Sequence, residues 1–136
     1  MKNIALILLL LVLSNGSAQA LTPPAVREIN QLFTVLQSSK CEFYRNGTWH
    51  NSRKATEHLQ RKYNYLVRRK LVTSTEAFID LAASKSSGTG KPYLVRCGRT
   101  QPVSGKLWFM QKLKELRGRA AGANNSFNPM PLRGTG

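Results

Sequence analysis

Between Thr22 and Lys40 the apolar residues Val26, Ile29, Leu32, Phe33 and Leu36 recur at steps of three and four. That spacing places them on one stripe of an α-helix and predicts that the stripe packs inward. Thr22 is the expected N-cap and Pro23 suits the first helical position, where its missing N–H costs nothing. The short aromatic run Glu42–Arg45 reads as a strand that ends at the turn signal Asn46-Gly47. A second helix starts at Asn51 or Ser52 and turns Ala55, Leu59, Tyr63 and Leu66 inward. Thr73 with Glu76 forms a capping-box pattern ahead of a short third helix, whose apolar residues are Phe78, Ile79, Leu81 and Ala82. Tyr93–Cys97 is the second strand. A turn through Pro102 leads to Ser104 as the cap of a last helix facing inward through Phe109, Leu113 and Leu116, with Trp108 on its flank. No internal repeat is present. The expected fold is α+β, in the order α-β-α-α-β-α, with two short strands packed against helices, since two strands alone are not stable in water.

The chain ends divide off from this pattern. Lys2, the apolar run Ile4–Leu13 and the small-x-small triplet Ala18-Gln19-Ala20 have the form of a secretory signal peptide covering residues 1–20. The run is too short for a spanning helix, which needs about 20 apolar residues. The expected mature chain starts at Leu21, carries no transmembrane segment and is periplasmic or secreted. Residues 21–117 form a single domain. Residues 118–136, rich in Gly, Asn and Pro, read as a disordered basic tail.

Export changes the meaning of the two cysteines. In an oxidising compartment Cys41 and Cys97 are expected to pair, and closing so long a loop stabilises a small domain by about 4 kcal/mol. A catalytic thiol working with His50 or His58 is the rival; it needs an electropositive pocket that no spacing here defines. No CxxC or HxxxH spacing supports a metal site, and no cofactor is implied.

The loop Ser86–Tyr93, "SSGTGKPY", invites comparison with a nucleotide-binding cradle. The motif requires a glycine five residues before Gly90, where Lys85 stands, and a Ser or Thr after Lys91, where Pro92 stands. The loop also follows a helix and precedes a strand, the reverse of a phosphate loop. It reads as a connection in which Gly88 and Gly90 permit positive φ.

Several segments together carry a different likeness: Phe43–Gly47 ("FYRNG"), Ala55 with His58-Leu59 and Lys62, Thr75–Asp80 ("TEAFID") and Ser86–Val95 ("SSGTGKPYLV"). In this order they resemble the YfeK-like family, small exported bacterial proteins built on a domain of unknown function. The likeness covers roughly residues 25–117. It implies a bacterial, periplasmic protein with no assigned reaction. The cysteine pair and the basic tail depart from the family pattern, so the disulfide is not implied by it. If the matching residues mark a shared site, its members are Arg45, Asn46, His58, Ser87, Thr89 and Tyr93. Each also has a structural use: Asn46 in a turn, His58 at a helix edge, Tyr93 at a strand start.

Charge narrows the partners. The chain has 21 Lys and Arg against six Asp and Glu, a net +15, and only Lys2 of the bases lies in the leader. Such an excess attracts anions. On the second helix Lys54, His58, Arg61, Tyr65 and Arg68 fall along one stripe, expected to face away from Ala55, Leu59 and Leu66. A cationic stripe holding an aromatic suits a polyanion, and it equally suits a solvated face. The few acids form no paired-carboxylate arrangement, and no Ser-His-Asp set is legible. The expected function is therefore a small, non-catalytic, exported basic protein. Its partner is an anionic envelope component (a lipid headgroup or a cell-wall polymer) or an exported protein, with nucleic acid less accessible. The alternative is a small hydrolase or transferase with a site around His58, Ser87 and Tyr93.

Overall fold

The computed structural model describes residues 20–126. The proposed signal peptide therefore lies outside the described residues except for Ala20. The elements in chain order are α1 (Pro23–Ser38), β1 (Glu42–Arg45), β2 (Thr48–His50), α2 (Ser52–Arg68), α3 (Thr75–Phe78), a wide π-turn (Ile79–Ala83), β3 (Leu94–Arg96), β4 (Val103–Ser104) and α4 (Gly105–Ser126). The class is α+β, as the periodicity predicts. The sheet, however, has four antiparallel strands, in the order β2-β1-β3-β4, rather than two. β2 returns from the Asn46-Gly47 turn, whose two residues both take positive φ (46° and 89°), the geometry of a tight hairpin.

α1 buries Ile29, Leu32, Phe33 and Leu36, and Thr22 caps it by accepting from the Ala25 N–H at 3.4 Å. Phe43 and Val95, opposite each other on β1 and β3, point into the same core and are each 1% exposed. Their neighbours Tyr44, Trp49 and Leu94 occupy the other face of the sheet. There the Arg96 guanidinium stacks 4.0 Å over the Trp49 ring and pairs with Glu42. The register that sets Glu42 against Arg96 puts Cys41 against Cys97 one step further along the ladder. The two are bonded, with S–S 2.02 Å and Cα–Cα 4.2 Å.

Three local readings are corrected. The cap of α3 is Ser74, accepting from the Ala77 N–H at 3.0 Å, and not Thr73. Leu81 faces solvent at 44% exposure instead of the core, because the π-turn uses more residues per turn and shifts the phase of the stripe. Of Gly88 and Gly90 only Gly90 has positive φ. α4 also runs on to Ser126, past residue 118 where the tail was expected to start, and the rest of that tail, residues 127–136, lies outside the described residues. Every residue from Arg117 to Ser126 is exposed, so this stretch continues an anchored helix without burying anything.

Gly105 sets the approach of α4 to the start of β3. Its N–H donates to the Tyr93 carbonyl at 2.8 Å, and an added Cβ would stand 2.6 Å from the Ala83 carbonyl oxygen and 3.2 Å from the Tyr93 Cβ. Backbone cannot swing aside as a flexible side chain can. Gly105→Ala should therefore lower stability by about 1 kcal/mol, at the low end for overpacking, because α4 can shift slightly. An unchanged urea midpoint would show that the approach is looser than this.

Candidate functional site

α2 faces β1 and β2 and carries most of the site. Asn51 Oδ1 caps it, accepting from the Lys54 N–H at 2.9 Å. Ala55, Leu59 and Leu66 then fix its rotation by entering the core. With that face committed, His58 and Lys62, one turn apart, lean toward Tyr93, the residue just before β3. Lys62 Nζ donates to the Tyr93 hydroxyl oxygen at 3.1 Å and to the Lys85 carbonyl at 3.0 Å. His58 Nε2 lies 3.2 Å from the same hydroxyl. Since Lys62 can only donate, the Tyr93 proton goes to His58 Nε2, and we assign the imidazole proton to Nδ1 on that basis. The Tyr93 ring is 1% exposed and packs against Phe43 with centroids 4.9 Å apart.

In front of this trio a cleft of about 310 Å³ opens between the β1–β2 hairpin and α2. Phe43 and Ala55 supply apolar lining. Arg45, His50, Lys54, His58 and Arg61 surround it, with Glu57 the single acid. The electrostatics follow from this lining. Desolvation and then the Arg45, Lys62, Arg61 and His50 charges push His58 down to about 4, so the ring is neutral near pH 7. Desolvation and Arg45 bring Lys62 down to about 8. His50 is lowered by desolvation, Arg45 and Lys54, whereas burial raises Tyr93 against an opposing effect of Arg45. A second cavity of about 410 Å³ adjoins the first. It is lined by His58, Arg61, Lys62, Tyr65, Leu66 and Ser87.

The residues singled out from sequence separate into three groups. Arg45, His58 and Arg61 line the cleft, and Tyr93 lies behind it, bonded to His58. Asn46 and Thr89 instead hold the glycine loop to the hairpin. Thr89 Oγ1 donates to Asn46 Oδ1 at 2.8 Å, and Asn46 Nδ2 donates to the buried Ser86 hydroxyl at 3.2 Å. The loop closes on itself as well, through Ser86 N–H to the Lys91 carbonyl and Gly90 N–H to the Ser86 carbonyl, both 2.9 Å. Arg68 is exposed and lines neither cavity, and Ser87 reaches the second cavity but bonds neither His58 nor Tyr93. The stripe on α2 is thus not wholly solvent-facing, since His58 is half-buried.

Lys62 and Ser86 were absent from the sequence-derived site. Lys62 carried a signal, standing four residues after His58 and hence on the same face. Ser86 carried none that separates it from Ser87. Among the described residues there is no group of three or more His, Cys, Asp or Glu able to hold a metal ion, and no helix is long and apolar enough to cross a membrane.

A family model described as "Family of unknown function (DUF5329)" matches residues 23–117. The chain belongs to that family. A relative within the same likeness is the "Uncharacterized protein YfeK" of Salmonella typhimurium, 42% identical over 66 residues, which are 48% of this chain and 53% of the relative. The chain thus spans about half the length of the curated relative it matches. No solved structure matches. The matched segment of this DUF5329 chain contains both cavities, the disulfide and all four strands.

Proposed function

We propose that the chain is a small exported, non-catalytic protein that binds an anionic envelope component in the cleft between the β1–β2 hairpin and α2. The observation that carries this is where the acids are spent. All six acidic side chains of the sequence form ion pairs with bases outside the cleft lining: Glu28 and Glu76 with Arg117, Glu42 with Arg96, Glu57 with Arg53, Asp80 with Lys106 and Glu115 with Lys112. Arg45, Lys54 and Arg61 have no ion pair among the described residues. They face the same space, where their charges repel one another, and the Arg45 and Arg61 charges add to burial, the larger cause, in keeping the neighbouring His58 neutral. A bound anion relieves that repulsion. The leader-like N-terminus and the disulfide support export.

The test is retention of the purified protein on vesicles with acidic phospholipid headgroups and on heparin, followed as salt is raised. Arg45→Glu and Arg61→Glu should each weaken retention roughly tenfold or more, as loss of a charge-assisted contact does. Arg68→Glu should matter much less. If the double variant Arg45→Glu/Arg61→Glu elutes at the same salt as the unmodified protein, the cleft is not the site. Binding should also tighten as pH falls below neutral. An anion favours the charged imidazole, so it raises the His58 pKa from about 4 and takes up a proton on binding. An affinity that is flat from pH 7.5 to 5 would remove His58 from the site.

The alternative, a small hydrolase or transferase around His58, Ser87 and Tyr93, draws support from the His58–Tyr93 contact alone. It requires Ser87 to move into bonding distance of His58. Loss of ester-cleaving activity in both His58→Gln and Ser87→Ala would favour it.

A further inference from the structure

Resting on the anion-binding reading, and narrowing its ligand, we infer that the ligand is an amphiphile, a phosphate-class head carried on a single apolar chain. The head lies in the β1–α2 cleft, and the chain runs over Tyr65 and Leu66 in the adjoining cavity. Two features of the site converge on this ligand class.

The first is the number of charges. Among the described residues Arg45, Lys54 and Arg61 are three bases without an ion-pair partner, against one lining acid, Glu57, which pairs with Arg53, and His50 and His58 add two imidazoles that an anion would charge. A monocarboxylate neutralises one of these. A phosphate monoester brings up to two charges and three free oxygens, which suits two guanidinium forks approaching from opposite walls, Arg45 on β1 and Arg61 on α2.

The second is continuity. His58 and Arg61 line both cavities, so the charged space and its neighbour meet at these two side chains. Beyond them the character changes. Leu66 and the Tyr65 ring, 47% exposed and carrying the Arg69 guanidinium 4.8 Å from its centroid, provide apolar surface, extended by the methylene stems of Arg61 and Lys62. A free phosphate would leave that surface wet, and an uncharged hydrocarbon would leave the bases uncompensated. A molecule with both parts satisfies both cavities.

A homologous series of alkyl phosphates, methyl to octyl, titrated into the purified protein by calorimetry below micellar concentrations, tests this. Affinity should rise about fourfold for each methylene that enters the cavity, then level off once it is filled. Tyr65→Ser, an exposed position that tolerates substitution, should reduce the ratio of octyl to methyl phosphate affinity at least tenfold. Arg45→Gln should weaken every member by a similar factor and leave that ratio in place. If methyl and octyl phosphate bind equally, the amphiphile is wrong while the anion site stands. A rise with chain length that Tyr65→Ser leaves intact places the apolar arm elsewhere and overturns the assignment. If no member of the series binds, inorganic phosphate included, the anion-binding reading falls with it.

Discussion

Replacing both Cys41 and Cys97 with alanine should cost this domain about 4 kcal/mol, the loop-closure contribution of a bridge joining residues separated by 56 positions. Against the roughly 5–15 kcal/mol that holds a small domain together, that is a large fraction. The reasons are local as well as entropic. The bridge extends the β1–β3 ladder by one step, next to the Glu42–Arg96 pair, and these two strands contribute four and three residues to the sheet. Strands so short have few ladder hydrogen bonds to resist separation. Phe43 and Arg45 of β1 form one wall of the cleft, so loosening β1 also disperses the bases that oppose Arg61. The urea midpoint of the double variant should fall accordingly, and reduction of the unmodified protein should reproduce most of the fall. A midpoint that barely moves on either treatment would mean that the ladder and helical cover suffice without the sulfurs.

How far the sequence reveals this architecture depends on the range of the interactions involved. α1, α2 and the first part of α4 follow from three- and four-residue spacing, because each buries a continuous stripe that local sequence defines: Ile29, Leu32, Phe33 and Leu36 on α1, and Phe109 and Leu113 on α4. β1 and the cysteine pairing were legible from composition and the leader-like N-terminus. β2 and β4 were not. With three and two residues they are too short to show alternation, and they exist because β1 and β3 offer edges for them to pair with. The site shows the same division. The closeness of Arg45, His58 and Tyr93 was available only through likeness to the family, since their contacts join α2 to both strands. Lys62 could have been added from its four-residue offset to His58. The helical pairs Arg53–Glu57 and Lys112–Glu115 follow from spacing, but the long-range ion pairs were hidden, for nothing local shows that Glu28 meets a residue 89 positions away.

That distant pair supports the last prediction. Arg117, exposed near the middle of α4, sends Nε and a terminal nitrogen to the two oxygens of Glu28 on α1, at 2.7 and 3.0 Å, and its other nitrogen to Glu76 on α3 at 2.5 Å. Thr75 completes the set, donating to Glu28 at 2.7 Å. One guanidinium therefore ties three helices, and Glu28, whose side chain is only 22% exposed, depends on it. Arg117→Leu should cost about 2 kcal/mol at pH 7. A fork to two carboxylates exceeds an ordinary surface pair, but partial exposure keeps it below a buried one. The pH dependence identifies the cause. Arg117 holds both carboxyl groups below the ordinary value of 4.5, so their contribution is complete above that pH and is lost as pH falls through the lowered values. The gap between variant and unmodified protein should therefore be full at pH 7 and shrink steadily as pH drops below about 4.5. His58 adds its own acid sensitivity at higher pH. Its pKa is depressed from 6.5 to about 4, so the unfolded chain takes up the proton first and stability falls across that interval. This acts equally on both proteins and cancels in the difference. A gap as large at pH 3 as at pH 7 would assign the loss to the packing of the Arg117 stem rather than to its charge.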